Sequence, residues 1–380
     1  MHLNEYAKAT GLNAVFVLAI TMIMPVLAPH IKSMGFNNIE LSILFSFMPL
    51  AIIFTAPIIG RISDDLGRRI VIIAGIAGEI VALLLYAYGT GWIVFAIARI
   101  LDAIAATTVM VAALSKIEDT LSNSVRGKYA GISLSIEYVG RLFGPVIGGI
   151  LADRMFIQAP FITAAAILLG LLILLPKNNL KKKRISKKEL DLVGDIKEFL
   201  SYRQLKGMAI LGTVMHATFP AFTIFLPLLV VETFGLSYAY AGYAYLALGA
   251  THILQFVFGK WSDKKAYRLV LLGTLVSGIF TGVVFLTNSY IALIFALFFI
   301  GLGNSMWNVS ACTLMSDIGE SKGIEGELIG SYISIAKIGA FLSFLASGFV
   351  VQAWSINALF LVNGVLIVLG SVLAYPLLKD

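Results

Sequence analysis

A few charged residues stand in stretches of the chain that are otherwise almost wholly apolar. Arg99 and Asp102 are three residues apart, and Glu137 and Arg141 four apart, so on a helix each acid can pair with its arginine along one face. Glu79 and Lys337 stand in two further apolar stretches. A carboxyl beside a guanidinium in a poorly solvated place is drawn two ways: burial disfavours its charge and the arginine favours it, so a small rearrangement can load or release a proton. Glu137 is the first choice for that role, Asp102 the second and Glu79 the third. Arg99, Arg141 and Lys337 are candidate contacts for a solute, with Asn304, Trp307 and Asn308 supplying hydrogen bonds and a stacking face. The plainer alternative is two self-neutralising pairs that let their helices insert, with the asparagines and Trp307 as packing residues. His216 and His252 read as satisfied interior histidines.

Helices in a bilayer are needed to position these groups. Of 380 residues 59% are hydrophobic and 13% charged, and the mean hydropathy is +0.93. A soluble chain of this length needs about a quarter of its residues charged. Stretches of roughly 20 apolar residues, enough to cross a bilayer, fall at about 9–29, 41–60, 69–88, 91–115, 128–152, 158–176, 205–231, 238–259, 269–287, 290–315, 326–351 and 354–376. At about 1.5 Å per residue, Asp102 lies roughly 16 Å along its span and Glu137 roughly 14 Å along the next, so both acids are expected near the midplane with the arginines just outward. An ionised side chain there costs at least about 2.5–3.5 kcal/mol, which makes each a functional candidate.

Other chemistries find little support. Cys312 is the single cysteine, the histidines (His2, His30, His216, His252) have no metal-ligand spacing, and no phosphate-binding GxxxxGK[ST] loop occurs. No metal, cofactor or catalytic constellation is expected. The net charge of +7 is a matter of topology. If both termini are cytoplasmic, 23 of the 28 Lys and Arg fall on that side, Lys32 and Arg154 fall outside, and Arg99, Arg141 and Lys337 lie within spans. No nucleic-acid partner is implied. The basic stretch 177–204, with Lys181, Lys182, Lys183, Arg184, Lys187 and Lys188 ahead of a short amphipathic helix to Leu200, reads as a linker lying on anionic lipid headgroups.

That linker separates two halves, 1–176 and 205–380, that repeat at an offset of 199. Gly60-Arg61-Ile62-Ser63-Asp64 recurs as Gly259-Lys260-Trp261-Ser262-Asp263, and Arg69 pairs with Arg268. Gly127, Gly131, Ser135, Ile136, Gly140 and Gly149 pair with Gly326, Gly330, Ser334, Ile335, Gly339 and Gly348, and Glu118 with Asp317. Parallel six-helix repeats suit a transporter whose halves rock about a site at the midplane.

At this point the residues resemble the major facilitator superfamily. Gly60 to Arg69, GRISDDLGRR, is similar to its loop 2–3 motif G-x-L-x-D-x-x-G-R-[KR], with Ile62 at the usual Leu. Gly140 to Gly149, GRLFGPVIGG, resembles the G-x-x-x-G-P-x-x-G-G motif of the drug:proton antiporter branch. Arg99 sits where that branch has R-x-x-x-G, but Ala103 replaces the glycine, and span 1 lacks the embedded acid that some of its members carry. The resemblance implies an all-α membrane fold of twelve transmembrane helices in two pseudo-symmetric six-helix bundles. It implies a conformational latch at Gly60, Asp64, Gly67, Arg68, Arg69 and Asp263, in which a turn at Gly67 lets the carboxylate and guanidinium groups meet. Gly140, Gly144 and Gly148 form one helix face for close packing, with Pro145 as a bend and Gly149 beside them. The expected function is proton-coupled efflux of drug-like or amphiphilic small molecules by alternating access. Because the central charges sum to +1 with both acids ionised, uptake or exchange of an organic anion is the alternative, and a lipid or lysolipid flippase a third. The expected partners are a small-molecule substrate, protons and membrane lipid, and the expected form a monomer in the plasma membrane.

Overall fold

The computed structural model describes residues 3–121, 126–175, 192–322 and 325–379. Every regular element among them is helical: α1 Leu3–Thr21, α2 Leu27–Ser33, α3 Asn38–Leu66, α4 Arg68–Tyr88, α5 Trp92–Asp119, α6 Arg126–Arg154, α7 Ala159–Ile173, α8 Leu192–Phe199, α9 Arg203–His216, α10 Leu226–Leu228, α11 Tyr238–Ala250, α12 Gln255–Val283, α13 Tyr290–Lys322, α14 Glu325–Ala353 and α15 Ile356–Leu378. Ten helical stretches among the described residues are long and apolar enough to cross a membrane. Two expected spans are less simple. The first is broken between α1 and α2, where the chain turns before Pro25, and the sixth is the 15-residue α7.

Local chemistry explains the interruptions. Pro220 and Pro227 lack a backbone N–H, and the chain between α9 and α11 winds as π turns over Ala221–Phe225 and Leu229–Thr233. In α12 the helical path breaks at Lys265 (φ −150°, ψ 43°), which divides the expected eighth and ninth spans. Gly67, at φ +92°, reverses the chain between α3 and α4, a conformation only glycine adopts readily.

The chain forms two compact units. The first comprises Met1–Phe36, Phe47–Lys187 and Leu236–Leu246, the second Asn37–Ser46, Lys188–Gly235 and Ala247–Asp380. In the first, α4 packs along α5, α1 along α6, and α4 on α7. In the second, the 199-residue counterparts do the same: α12 along α13, α9 along α14, and α12 on α15. The amphipathic helix expected before Leu200 is α8, and its Phe199 is fully buried with Leu205, Met208, Leu211 and Met315.

Glycine sets the closest approaches. A Cβ on Gly140 would stand 2.8 Å from the Ala14 carbonyl oxygen, and one on Gly144 2.7 Å from that of Leu18. One on Gly148 would overlap the Met22 carbonyl oxygen. The stripe at i, i+4, i+8 is therefore the seam of α6 on α1, as small-residue faces allow. On the other repeat Gly339 faces Thr213 in the same way, and Ser343 Oγ donates to the Ala217 carbonyl at 2.5 Å.

Candidate functional site

The first unit holds two polar centres built from different helices. One is sealed between α4 and α5. Asp102 Oδ2 accepts from Arg99 Nη1 at 3.1 Å and from the Tyr86 hydroxyl at 2.9 Å. Arg99 also reaches the Tyr86 oxygen at 3.4 Å, and its second amino group lies 3.2 Å from Met48 Sδ. All three polar residues are at most 5% exposed. Glu79 lies seven residues before Tyr86 on α4 and is fully buried, with no hydrogen-bond partner for either carboxyl oxygen among the described residues. Two close contacts hold α4 against α5 here: a Cβ on Gly75 would stand 2.7 Å from Val109 Cγ2, and one on Gly78 3.4 Å from Ala105 Cβ.

The second centre lies where α6 meets α1. Glu137 Oε1 accepts from Arg141 Nε at 2.9 Å and Nη2 at 2.6 Å, a two-pronged pair of the strong charge-assisted kind. Its other oxygen accepts from Asn13 Nδ2 at 2.8 Å. Hydroxyls continue the ladder along the seam: Thr10 Oγ1 lies 2.8 Å from Ser133 Oγ, which donates to the Tyr6 hydroxyl at 3.0 Å, and that hydroxyl donates to the Tyr129 carbonyl at 2.8 Å. The seam is thus polar up to Glu137 and glycine-lined beyond it. Glu137 is nearly enclosed, whereas 38% of the Arg141 side chain is exposed, so this pair borders an accessible space and the Arg99–Asp102 pair does not.

In the second unit, α14 and α13 bring Lys337 and Trp307 to the end of α9. Lys337 Nζ stands 4.9 Å from the centre of the Phe219 ring, a cation–π contact. The His216 ring lies 4.7 Å from Phe219 and 5.9 Å from Trp307, and its Nδ1 is 3.0 Å from the Gly212 carbonyl oxygen. Trp307 Nε1 is buried without an acceptor among the described residues. Asn304 instead turns to Ser277, whose hydroxyl donates to its Oδ1 at 2.8 Å, and Asn308 is partly buried nearby on α13.

Each candidate residue is thus placed within its own unit. Arg99 and Asp102 form one centre, Glu137 and Arg141 a second, and Lys337 belongs to an aromatic cluster of its own unit. Sequence reasoning overlooked Asn13 and Tyr86, lone polar groups in apolar spans, and set aside His216, which stands beside Lys337 and Trp307. The repeat sharpens the contrast: the positions 199 residues beyond Glu79, Arg99, Asp102, Glu137 and Arg141 are Gly278, Phe298, Gly301, Ala336 and Ala340. Of the latch, Gly60 lies within α3 and Arg68 Nη1 donates to Ser63 Oγ at 3.0 Å, while the side chains of Asp64 and Asp263 lie outside what the structure describes.

Apolar helices of spanning length that carry buried ion pairs, packed as two matching sets, define a polytopic membrane transporter. The sequence model of the Major Facilitator Superfamily matches residues 10–265 and 249–380, and the chain belongs to that family. An MFS-type transporter of Methanocaldococcus jannaschii, MJ1560, is 24% identical over 94% of each chain. The quinolone resistance protein NorA of Staphylococcus aureus is 27% identical over 150 residues, 40% of this chain and 38% of its own. Among solved structures, the nucleoside transporter NupG superposes with a TM-score of 0.80 at 14% identity, over 99% of this chain and 100% of its own. The chain is thus a multi-pass membrane transporter of small molecules, not an enzyme.

Proposed function

We propose that this transporter is a proton-coupled efflux antiporter for drug-like or amphiphilic small molecules, with Glu137 as the coupling carboxyl. The observation that carries the reading is the Glu137 site: one carboxyl oxygen on Arg141, the other on Asn13, with the Arg141 side chain still 38% exposed. Such a carboxylate can exchange its arginine for a proton when solute or water reaches Arg141, because a proton and an ion-pair partner satisfy the same oxygen. Asp102 stands behind it as a second acid and Glu79 as a third, with Arg99 holding Asp102. The partial likeness to the quinolone resistance protein supports efflux as the direction.

In this reading the halves 1–176 and 205–380, joined by the basic linker 177–204, carry twelve spans with both termini cytoplasmic in the plasma membrane, and the protein works as a monomer on lipid. The Gly60, Asp64, Gly67, Arg68, Arg69 and Asp263 motif closes the cytoplasmic side. The candidate solute contacts are Arg99 and Arg141 in the first unit and Lys337, Asn304, Trp307 and Asn308 in the second, each taken within its own unit. Lys337 and Arg141 favour a second reading, exchange or uptake of an organic anion.

Transport in proteoliposomes with an imposed pH gradient separates the two. Efflux by antiport predicts solute moving toward the acidic compartment as protons leave it. Solute moving with protons out of the acidic compartment would establish symport and overturn the proposal.

A further inference from the structure

Asp153, in the last turn of α6, does something that neither the ion pairs nor the glycine seam requires. Its Oδ2 accepts from the Ser237 hydroxyl at 2.5 Å and from the Ala239 amide at 2.9 Å, and its Oδ1 from the Tyr238 amide at 2.9 Å. The first-turn amides of a helix have no partner within it and carry its positive end, so an acceptor carboxylate there is an N-cap. Helix α11 therefore takes its cap from α6, across 84 to 86 residues of chain. The backbones touch beside it: a Cβ on Gly149 would overlap the Tyr238 carbonyl oxygen, and one on Gly242 would stand 2.6 Å from that of Pro145.

The repeat supplies an internal control. Shifted back by 199, the amides of Tyr238 and Ala239 become those of Ile39 and Glu40, Leu236 becomes Asn37, and Asp153 corresponds to Gln352. In that copy the cap is local. Asn37 Oδ1 accepts from the amides of Ile39 and Glu40 at 2.9 Å each, and Glu40 Oε2 closes the box on the Asn37 amide at 2.9 Å. Among the described residues Gln352 Oε1 accepts from Asn38 Nδ2 at 3.5 Å and takes no first-turn amide, although Gly348 packs as closely on Asn38 and Ile39 as Gly149 does on Tyr238 and Ala239. The two copies share the glycine approach and differ in who caps the helix.

We propose that Asp153 is a one-sided clasp: α6 can part from α11 only by uncapping α11, whereas the α14–α3 contact of the other copy parts with both caps intact. The clasp biases the transport cycle toward the state in which this end of α6 is closed on α11, whichever solute is carried. Removing it lowers the occupancy of that state, while the equivalent change at Gln352 does not.

The test uses full-length protein in lipid nanodiscs, with Cys312→Ser as background and spin labels on cysteines introduced at Phe156 and Tyr243. Both residues are exposed. Asp153→Ala should reduce the ratio of short-distance to long-distance populations about tenfold. Leu236→Asn should do nearly the same with Asp153 present, because it gives α11 the local cap that Asn37 gives α3 and competes for the same two amides without leaving the helix uncapped. Gln352→Ala should stay within twofold. If Asp153→Ala and Leu236→Asn both leave the ratio within twofold, or if Gln352→Ala shifts it as far as they do, the clasp is wrong.

Discussion

Replacing Arg99 by methionine keeps most of the side-chain volume and removes the guanidinium from a site where Asp102 is about 5% exposed. Asp102 would retain one donor, the Tyr86 hydroxyl at 2.9 Å, and lose the charged donor at 3.1 Å. The lost charge-assisted hydrogen bond alone is worth about 1.5–3 kcal/mol. Breaking a buried ion pair by removing one member costs about 3–5 kcal/mol, since the remaining charge stays uncompensated. The larger figure should apply here, because this pair is sealed from solvent where Arg141 is not. The double variant Arg99→Met/Asp102→Asn keeps an acceptor for Tyr86 and removes the orphaned charge, so it should regain about 2 kcal/mol or more relative to the single change. Equilibrium unfolding in mixed micelles, run as a double-mutant cycle, reads both numbers. A single variant within about 1 kcal/mol of the parent, or a double variant less stable than the single, would refute the reasoning; the Asp102 carboxyl would then have another source of compensation.

Two further expectations come from the same unit. Gly148→Val puts a branched side chain where even a Cβ meets the Met22 carbonyl, and overpacking of this kind costs about 1–3 kcal/mol or more; the α1–α6 seam should loosen, seen as a lower unfolding midpoint, while Gly131→Val, with open space around its Cβ, should not shift it. Glu79→Gln keeps the shape of a carboxyl that has no hydrogen-bond partner among the described residues, so pH-driven transport should stay within about threefold of the parent if Glu79 is only a reserve acid; a loss above tenfold in proteoliposomes would move the coupling role to Glu79.

Much of this was legible in the chain. The apolar length of the spans was legible because the bilayer demands it: a segment that satisfies its backbone polar groups within itself must be helical, and about 20 apolar residues carry such a helix across. The glycine stripe at 140, 144 and 148 was readable for the same kind of reason, since spacing on one helix decides its face without knowledge of the partner. The i, i+4 and i, i+3 pairs at Glu137–Arg141 and Arg99–Asp102 were equally local, and both exist. What escaped were the contacts between helices far apart in sequence. Asn13 reaches Glu137 across 124 residues, and at shorter range Tyr86 meets Asp102 across the α4–α5 packing that Gly75 and Gly78 keep close. Spacing could say that each acid had an arginine. It could not say that one pair is sealed and the other borders an accessible space, because exposure depends on which neighbouring helices cover the face. His216 was passed over for the same reason: its importance lies in Phe219, Trp307 and Lys337, which three separate elements bring to it.

The central claim is that Glu137 couples solute movement to protons, and its most direct test compares two modes of transport in one preparation. Glu137→Gln removes the titratable group and leaves an amide that Asn13 can still reach. In proteoliposomes, solute–solute exchange without a pH gradient should persist within a few-fold of the parent, while pH-driven accumulation should vanish. Full pH-driven accumulation by Glu137→Gln, with exchange intact, would contradict the account.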